Sequence, residues 1–198
     1  MPQLVIYADG LCEPFNPGGW ACWGWVALED GQEIASGHGC AGHGRGVSNN
    51  LAEYKAAVEA MRWAVAQRRK GVLLRTDSQL VVRQAAGDWD CRAQHLLPFV
   101  EELRYLLRQA QGRIEWVPRE RNQRADALSR EAYEEAVDRA RVARAADVQI
   151  EEKDGKIIAN GRYLVDLARG TCTCPDFQHR HQPCKHLIAA RLHVEGRG

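Results

Sequence analysis

The beginning of the chain contains three short segments with the composition of β-strands, separated by turn residues. Leu4–Tyr7 is apolar and ends at an Asp-Gly pair, Trp20–Leu28 is rich in Trp, Val and Ala, and Glu33–Gly37 follows a glycine turn. Residues 16–19, with the sequence Asn-Pro-Gly-Gly, are typical of a tight turn. Strands joined by tight turns pair in antiparallel fashion, so the sequence predicts three neighbouring antiparallel strands.

Beyond the third strand the periodicity of the chain changes. A loop rich in Gly and His is expected over residues 37–46. From Leu51 the apolar residues recur at steps of three and four, which is typical of an amphipathic helix. Asn50, with Glu53 three residues later, resembles a helix cap with a reciprocating acid. Further helices are predicted at 79–86, 96–109 and 122–146, and strands at 72–76 and 114–117. This order predicts an α/β fold in which helices pack on the faces of a five-stranded mixed sheet.

The charge balance restricts how such a domain would hold a nucleic acid. The 198 residues include 27 Lys and Arg and 26 Asp and Glu, a net charge of +1. This argues against a broadly basic nucleic-acid coat, so any such contact must be local. The start of the chain has no signal-peptide pattern, and no run approaches the roughly 20 apolar residues that span a bilayer. We expect a soluble, cytoplasmic, monomeric protein with no membrane partner.

The seven cysteines fall into two groups. Because cytosolic thiols stay reduced, we do not expect disulfides. Four cysteines are scattered and are expected to be small core or loop residues: Cys12, Cys22, Cys40 and Cys91. The other three lie close together near the end of the chain, which indicates a specific role.

The composition changes after Ala146, where we place a domain boundary. Short strand-like pieces at 148–150, 156–158 and 163–165 are separated by Asp-Gly and Asn-Gly pairs, which are hairpin turn signals. A short helix is predicted at Lys185–His193. The sequence therefore predicts a first domain at 1–146 and a small ββα module at 147–198.

Four acids stand at the predicted ends of strands and helices. Asp9 and Asp77 follow the first and fourth strands, while Glu53 and Asp126 lie in the first turns of helices. Taken singly, an Asp before Gly is usually a turn residue, and an acid in a first helical turn complements the helix dipole. If the first and fourth strands are neighbours, however, the acids meet at one sheet edge. Carboxylates gathered in this way need cations, and hard divalent ions such as Mg²⁺ suit them.

The chain order of several sequence blocks makes the first domain recognisable. The blocks are Tyr-Ala-Asp-Gly at 7–10, Asn-Pro-Gly-Gly-Trp-Ala at 16–21, Ser-Asn-Asn-Leu-Ala-Glu-Tyr at 48–54, Thr-Asp-Ser-Gln-Leu-Val at 76–81 and Asn-Gln-Arg-Ala-Asp-Ala-Leu at 122–128. In order and spacing they resemble the motifs of type 1 ribonuclease H, over about residues 3–140.

The resemblance implies an endonuclease that hydrolyses the RNA strand of RNA/DNA hybrids with two Mg²⁺ or Mn²⁺ ions, leaving 5′-phosphate and 3′-hydroxyl ends. Asp9 would bridge both ions, Asp126 would complete the ion that activates water, and Glu53 and Asp77 would hold the ion on the leaving-group side. Side-chain amides can recognise the 2′-hydroxyls of RNA. Turn and cap duty is the alternative role for the asparagines. The residues at substrate-contacting positions of the family are Gly10, Asn16, Ser48, Asn49, Asn50 and Gln79.

Two departures from the best-known bacterial pattern affect these expectations. The basic insertion that grips substrate in those enzymes is missing, because Trp89–His95 carries a single Arg. The loop at 118–122 reads Pro-Arg-Glu-Arg-Asn and lacks the catalytic His of that group. Glu120 or Arg121 is our hypothesis for the residue that assists proton transfer or product release. We therefore predict a weaker grip on substrate by this domain alone.

The cysteine-rich tail has the spacing of a zinc site, C-x-C-x9-C-x-H, formed by Cys172, Cys174, Cys184 and His186. Three thiolates and one imidazole suit a closed tetrahedral Zn²⁺ site. With its flanking residues the pattern resembles the SWIM zinc finger over about residues 148–192. His179 and His181 compete for the fourth ligand position, and the resemblance favours His186. A module this small buries little core, so zinc would supply its folding energy.

SWIM modules are associated with binding nucleic acid or protein. Phosphate contacts are predicted for Arg169, Arg180, Lys185 and Arg191, although basic and acidic residues are equally numerous after residue 130. Such a module would compensate for the missing basic insertion. The alternatives for the whole chain are a catalytically weak hybrid-binding protein and another nuclease of the same fold, a resolvase or an exonuclease.

Overall fold

The computed structural model describes residues 4–196, so the first three and last two residues of the predicted domains lie outside it. The chain divides within one helix into two compact units, Met1–Glu134 and Glu135–Gly198. The domain boundary at residue 146 stays a prediction.

The elements of the first part are β1 Leu4–Glu13, β2 Trp20–Glu29, β3 Gln32–His43, α1 Asn49–Ala66, β4 Leu73–Thr76, α2 Gln79–Ala86, α3 Leu97–Gln109, β5 Arg113–Trp116, a 3₁₀ turn Arg119–Arg121 and α4 Gln123–Ala145.

The first unit contains a five-stranded mixed sheet in the order β3-β2-β1-β4-β5. β1, β2 and β3 pair in antiparallel fashion, and β4 is parallel to both β1 and β5. This confirms the predicted α/β class and the adjacency of the first and fourth strands. β1 is longer than predicted, because it pairs with β2 as far as Glu13 while it pairs with β4 only from Val5 to Tyr7. Asp9 therefore lies inside β1, just beyond its parallel pairing.

The predicted Gly- and His-rich loop at 37–46 is wrong for residues 37–43, because β3 continues to His43, and only residues 44–46 form a turn. Gly44 and Gly46 have the positive φ of turn residues, whereas Gly37 and Gly39 allow close packing within the sheet. A Cβ on Gly37 would lie 2.8 Å from the ring of Trp25, and one on Gly39 would lie 2.9 Å from the ring of Trp23. Aromatic rings that cover glycines on a neighbouring strand stabilise a sheet that glycine would otherwise weaken.

Extension of β3 also changes the expectation for two cysteines. Cys22 and Cys40 are directly paired in the β2–β3 register and form a disulfide, with their Cα atoms 4.0 Å apart. The expectation of no disulfide, which rested on the reducing conditions of the cytosol, is wrong for this pair. The third strand was also predicted to end before Cys40, so its pairing with Cys22 was not foreseen. Cys12 and Cys91 are free and half-buried.

Helix α1 packs on the sheet through a row of fully buried side chains that includes Tyr54, Val58 and Met61. The predicted cap at Asn50 is wrong. The helix begins at Asn49 and Ser48 caps it, its hydroxyl accepting a hydrogen bond from Leu51 N at 3.4 Å. Serine is a preferred cap, so the prediction missed the start of the helix by two residues.

The second unit contains β6 Ile150–Lys153, β7 Lys156–Ala159, β8 Tyr163–Asp166, β9 Thr171–Cys172, α5 Pro175–Arg180 and α6 Lys185–Glu195. The strands form an antiparallel sheet in the order β6-β7-β8-β9, so the unit has four strands and two helices rather than the predicted ββα arrangement. Asp154-Gly155 and Asn160-Gly161 all have positive φ, as hairpin turns require, and they join three strands. No helix within residues 4–196 is long and apolar enough to cross a membrane.

Candidate active site and cysteine cluster

Three of the four predicted acids meet at one edge of the first sheet. Asp9, Glu53 and Asp77, here termed the acid cluster, bring carboxylate oxygens within 4.8 Å of one another. Asp9 and Asp77 lie on the same edge because β1 and β4 are parallel neighbours. Glu53 joins them because α1 lies directly on β1 at Gly10, where a Cβ would be 2.2 Å from Glu53 N. Gly10 thus has a structural reason to be glycine.

Two acids of the cluster, Asp9 and Glu53, are buried, and burial opposes their ionisation. Asp9 is 4% exposed and Glu53 is 8% exposed. The pKa of Asp9 is raised to about 7, chiefly by burial; a hydrogen bond from Ser129 opposes this rise, and Asp77 and Asp126 add to it. Burial, followed by the charges of Asp9 and Asp77, also raises the pKa of Glu53 well above its usual range. Glu53 Oε2 has no hydrogen-bond partner among the described residues. A cation would relieve both the repulsion and this unpaired oxygen.

Asp126 lies beside the acid cluster and is held by two arginines. Arg119 Nη2 donates to its Oδ1 at 2.6 Å, and Arg130 Nε donates to its Oδ2 at 2.9 Å. Burial alone would raise the pKa of Asp126, but the hydrogen bonds from Arg130 and Arg119 outweigh burial and hold the pKa below its usual range. Asp126 is therefore a charged carboxylate whose two oxygens are already hydrogen-bonded.

Two buried polar residues that the sequence analysis did not single out hold the acids in place. Asn122 Nδ2 donates to Ala8 O and to Asp77 Oδ1, each at 3.0 Å. Ser129 Oγ lies 2.7 Å from Asp9 Oδ2. Both side chains are almost fully buried, at 1% and 0% exposed. The sequence signal for Ser129 was a hydroxyl on the apolar face of a helix.

A glycine on β2 makes the contact with Ser129 possible. Gly24 is the register partner of Asp9, and a Cβ at Gly24 would lie 2.6 Å from both Leu128 Cβ and Ser129 N. Helix α4 can therefore approach the sheet closely beside Asp9. This approach brings the first turns of α4 to the acid cluster.

The predicted substrate contacts lie around the start of α1 and α2. Asn16 Oδ1 accepts from Asn49 N at 3.0 Å, and Asn49 Nδ2 donates to Glu53 Oε1 at 3.3 Å. Asn50 and Gln79 are exposed. Asn16 thus stabilises a loop and Ser48 caps α1. Contact with substrate stays a prediction for all six residues named in the sequence analysis. In the loop before α4, Glu120 and Arg121 are exposed, and Arg119 is the residue that reaches Asp126.

The second unit brings the predicted zinc ligands together. The ligand atoms of Cys172, Cys174, Cys184 and His186, here termed the cysteine cluster, lie within 4.8 Å of one another, and all four residues are buried. His186 Nδ1 is 3.9 Å from Cys172 Sγ and 4.0 Å from Cys184 Sγ. His179 and His181 are exposed and do not belong to this cluster.

The electrostatics of the cysteine cluster favour a soft cation. Burial raises the pKa of Cys172 to about 12 and also raises the pKa of Cys184. Burial and then the charge of Lys185 lower the pKa of His186, which keeps its imidazole neutral, the form that binds metal. Three buried sulfurs and one neutral imidazole fit a tetrahedral Zn²⁺ ion, which would keep the thiolates ionised.

Comparison with known proteins finds a matching family for each of the two units. Residues 19–132 match the reverse transcriptase-like family, and residues 148–195 match the SWIM zinc finger. Ribonuclease HI of Halobacterium salinarum is 38% identical over 139 residues, 68% of this chain and 66% of that protein. The N-terminal RNase H domain of Rv2228c from Mycobacterium tuberculosis is 31% identical, with a TM-score of 0.64 over 71% of this chain and 99% of that one. LC11-RNase H1, solved in complex with an RNA/DNA hybrid, is 27% identical, with a TM-score of 0.61 over 68% of this chain and 99% of that one.

The fold of the first unit is therefore that of ribonuclease H-like proteins, a mixed five-stranded sheet flanked by helices. The chain belongs to the reverse transcriptase-like family and carries a SWIM zinc finger after that domain. Both predicted resemblances are confirmed. The chain spans 66% of the length of the archaeal relative and 37% of the full-length mycobacterial protein.

Proposed function

We propose that this chain is an endonuclease that hydrolyses the RNA strand of RNA/DNA hybrids and leaves 5′-phosphate and 3′-hydroxyl ends. The observation that carries this proposal is the convergence of three carboxylates within 4.8 Å at the sheet edge of a ribonuclease H-like domain. An archaeal relative bears the name ribonuclease HI, and a protein of the same fold was solved with an RNA/DNA hybrid. Hydrolysis of a phosphodiester is chemistry that clustered carboxylates support through divalent cations.

The donor set of the acid cluster fits hard cations such as Mg²⁺ or Mn²⁺, which bind carboxylate oxygens. Asp9, Glu53 and Asp77 would hold one ion on the leaving-group side, and Asp9 with Asp126 would hold a second. Two such ions, when bound, activate the attacking water and neutralise charge on the leaving oxygen. The unpaired oxygen of Glu53 and the raised pKa of Asp9 support this assignment.

Two neighbouring side chains would keep these carboxylates in a fixed orientation during the reaction. Asn122 ties the Asp77 carboxylate to the backbone of β1, and Ser129 donates to the Asp9 carboxylate. Mutation of residues that orient metal-binding carboxylates commonly lowers metal affinity by about ten- to a hundredfold. Arg119, which donates to Asp126 beside the acid cluster, would supply a guanidinium that stabilises negative charge on a bound phosphate.

Recognition of RNA would rest on the polar residues around the acid cluster. Asn16, Asn49, Asn50 and Gln79 carry amides that can both donate to and accept from a 2′-hydroxyl. Asn50 and Gln79 are exposed and able to contact a ligand. Gly10 and Ser48 would contribute backbone and hydroxyl groups at the same edge. This set distinguishes a hybrid from duplex DNA.

A cleavage assay with three labelled duplexes tests the proposal. The full chain is mixed with an RNA/DNA hybrid, duplex DNA or duplex RNA, in the presence of Mg²⁺ or Mn²⁺. We expect cleavage of the RNA strand of the hybrid alone, and its loss in Asp77→Asn. Stepwise release of nucleotides from an end of the duplex DNA would instead identify an exonuclease. A labelled branched DNA, incubated in parallel, would be cut by a resolvase.

One observation supports a second candidate function, a hybrid-binding protein with little catalysis. Both oxygens of Asp126 are hydrogen-bonded to arginines, and this would hinder metal binding. Tight hybrid binding without cleavage under either metal would favour this candidate. Recovery of cleavage in Arg130→Gln would then identify the ion pair as the cause.

For the second unit we propose one structural Zn²⁺ ion bound by the cysteine cluster, with a role in holding nucleic acid or a protein partner. The close approach of three sulfurs and one imidazole supports the metal. Deletion of residues 147–198 should raise the KM for the hybrid with little change in kcat, because the tail lies outside the proposed catalytic machinery. An unchanged KM would contradict the binding role. The monomeric state and cytoplasmic location stay predictions.

A further inference from the structure

The second unit contains a basic pocket beside the cysteine cluster. The cavity has a volume of about 540 Å³ and lies between the C-terminal part of α4 and the loops and helices that carry the cysteines. Arg141 and Arg144 come from α4, Arg180 from α5 and Lys185 from the start of α6. The same lining includes one carboxylate, Asp176, and two members of the cysteine cluster, Cys174 and His186.

The four cations are incompletely neutralised by the protein. Arg180 pairs with Asp176, and Arg141 Nη1 pairs with Asp138 at 2.6 Å. Arg144 and Lys185 have no ion-pair partner within residues 4–196. Like charges gathered around a concave surface raise the local potential, so this cavity attracts an anion.

Arg141 is less exposed than Arg180, whose side chain is 33% exposed. The Arg141 side chain is 12% exposed, and its Nε is buried without a hydrogen-bond partner among the described residues. A buried guanidinium N–H without an acceptor costs free energy that an incoming oxygen would recover. Guanidinium groups present several donors in a plane, which matches the oxygens of a phosphate.

The remaining wall indicates which part of a ligand would enter. Tyr163 lines the pocket, but its ring already contacts His186, at 4.7 Å between centroids, and the guanidinium of Arg162 at 5.3 Å. The ring therefore offers little free surface for a base to stack on. Val137 and Pro175 supply the apolar part of the lining. The pocket thus suits phosphate and sugar, whose recognition is independent of sequence.

We propose that this pocket binds phosphodiester groups of a nucleic-acid strand. The proposal rests on the proposed function, since a chain that acts on a nucleic acid gains avidity from a second phosphate-binding site on the same molecule. A cavity of this volume accommodates one nucleotide. Free nucleotides share the same chemistry, and the experiment separates the two sources.

The test compares two double variants of the full, zinc-loaded chain. Arg144→Ala/Lys185→Ala removes the two unpaired cations of the pocket. Lys153→Ala/Lys156→Ala removes two exposed cations of the same unit that lie on the β6–β7 hairpin, outside the pocket. Binding of fluorescently labelled single-stranded DNA is measured by anisotropy over a range of salt concentrations. This strand is not the proposed substrate, so the result is independent of whether the chain cleaves hybrids.

We expect the pocket variant to weaken binding roughly tenfold and to reduce the salt dependence by about 1.4 in the slope of log K against log salt, since each phosphate contact on a single strand contributes about 0.7. The control variant should change affinity less than about twofold. Equal losses in both variants would overturn the proposal in favour of unspecific charge attraction. Displacement of the strand by micromolar AMP or inorganic phosphate from the wild type would overturn it in favour of a free nucleotide or phosphate.

Lys185 adjoins two residues of the cysteine cluster, so zinc content and thermal unfolding are measured for every variant. Arg144→Ala alone is the second variant, because Arg144 is exposed on α4 and remote in sequence from the cysteines. It should lose about threefold in affinity with zinc content unchanged. Wild-type affinity in this variant would overturn the proposal.

Discussion

The acid cluster is largely buried and the cysteine cluster fully so, but the two groups of ligands are assembled from the chain in opposite ways. Asp9, Glu53 and Asp77 come from positions spread over two strands and a helix that pack around a large apolar core. The four residues of the cysteine cluster come from one short stretch, and the apolar core around them is small and includes the cysteines themselves. The fold of the first unit holds the acid cluster in place without a metal ion. In the second unit, metal binding by the cysteine cluster would itself stabilise the fold.

This difference separates the consequences of metal loss in the two units. A core of the size found in the first unit holds the acids together even though their charges repel. In the second unit, the buried thiols have few apolar neighbours to replace a missing ion. Removal of metal should therefore abolish the activity of one unit and the folding of the other.

The largest expected effect is on the second unit. Cys184→Ser should lower the zinc content and unfold this unit, because structural zinc binding contributes about 10 kcal/mol or more to folding in small zinc modules. Hydrogen exchange should show loss of protection in β7, β8 and α6, with protection in α1 and β4 retained. Cys91→Ser, a half-buried cysteine outside the cluster, is the control. Retained protection in α6 without zinc would show that the small core is sufficient.

In the first unit, Asp9→Asn should abolish cleavage without unfolding the protein. We expect cleavage of the hybrid to fall about a thousandfold or more, since charge stabilisation by bound cations contributes several kcal/mol to the barrier. The thermal stability of the metal-free protein should be unchanged or higher, because a buried charge is removed. Asp88→Asn, an exposed acid paired with Arg83, is the control. A large loss of stability in Asp9→Asn would mean that the carboxylate supports the fold.

The same contrast explains how much the sequence could predict. Asp77 and the cysteine ligands were predictable because their neighbours along the chain define them, at the end of a strand or in a closely spaced motif. Ser129 was not, because its contact with Asp9 depends on Gly24, which lies on another strand and admits α4.

The errors in the sheet have the same long-range origin. β3 was predicted too short because its glycines were interpreted as a loop, while their packing against two tryptophans is visible only across strands. The pairing of Cys22 with Cys40 was missed together with the end of β3, since the disulfide depends on the register between β2 and β3. Contacts within one segment and the adjacency of the first and fourth strands were predictable, whereas contacts that depend on the exact register between β2 and β3 were not.

The pH dependence of stability should distinguish the acid cluster from the rest of the molecule. The pKa of Asp9 is raised from 3.8 to about 7 in the folded protein. Between about pH 4 and pH 7 the unfolded chain has lost this proton while the folded protein retains it, so stability falls as the pH rises through this window. We expect a loss of roughly 2–4 kcal/mol in EDTA, to which Glu53 contributes in the same direction.

Thermal unfolding in EDTA at several pH values measures this dependence. Saturating Mg²⁺ should restore stability at pH 8 and have little effect at pH 5, because the ion binds the ionised carboxylates. Asp9→Asn should lose most of the dependence. An unchanged pH profile in that variant would assign the effect to other groups.

The smallest expected effect concerns Ser129, which acts on the acid cluster only through Asp9. Its hydroxyl donates to the ionised Asp9, so Ser129→Ala should raise the Mg²⁺ concentration needed for half-maximal cleavage about tenfold. The activity profile should also move to higher pH, because the hydrogen bond from Ser129 lowers the pKa of Asp9. Ser36→Ala, an exposed serine on β3, is the control. A lower melting temperature with an unchanged Mg²⁺ requirement would show that Ser129 only packs in the core. The geometry of the acid cluster would then be set by the sheet and by α1 without help from this hydroxyl.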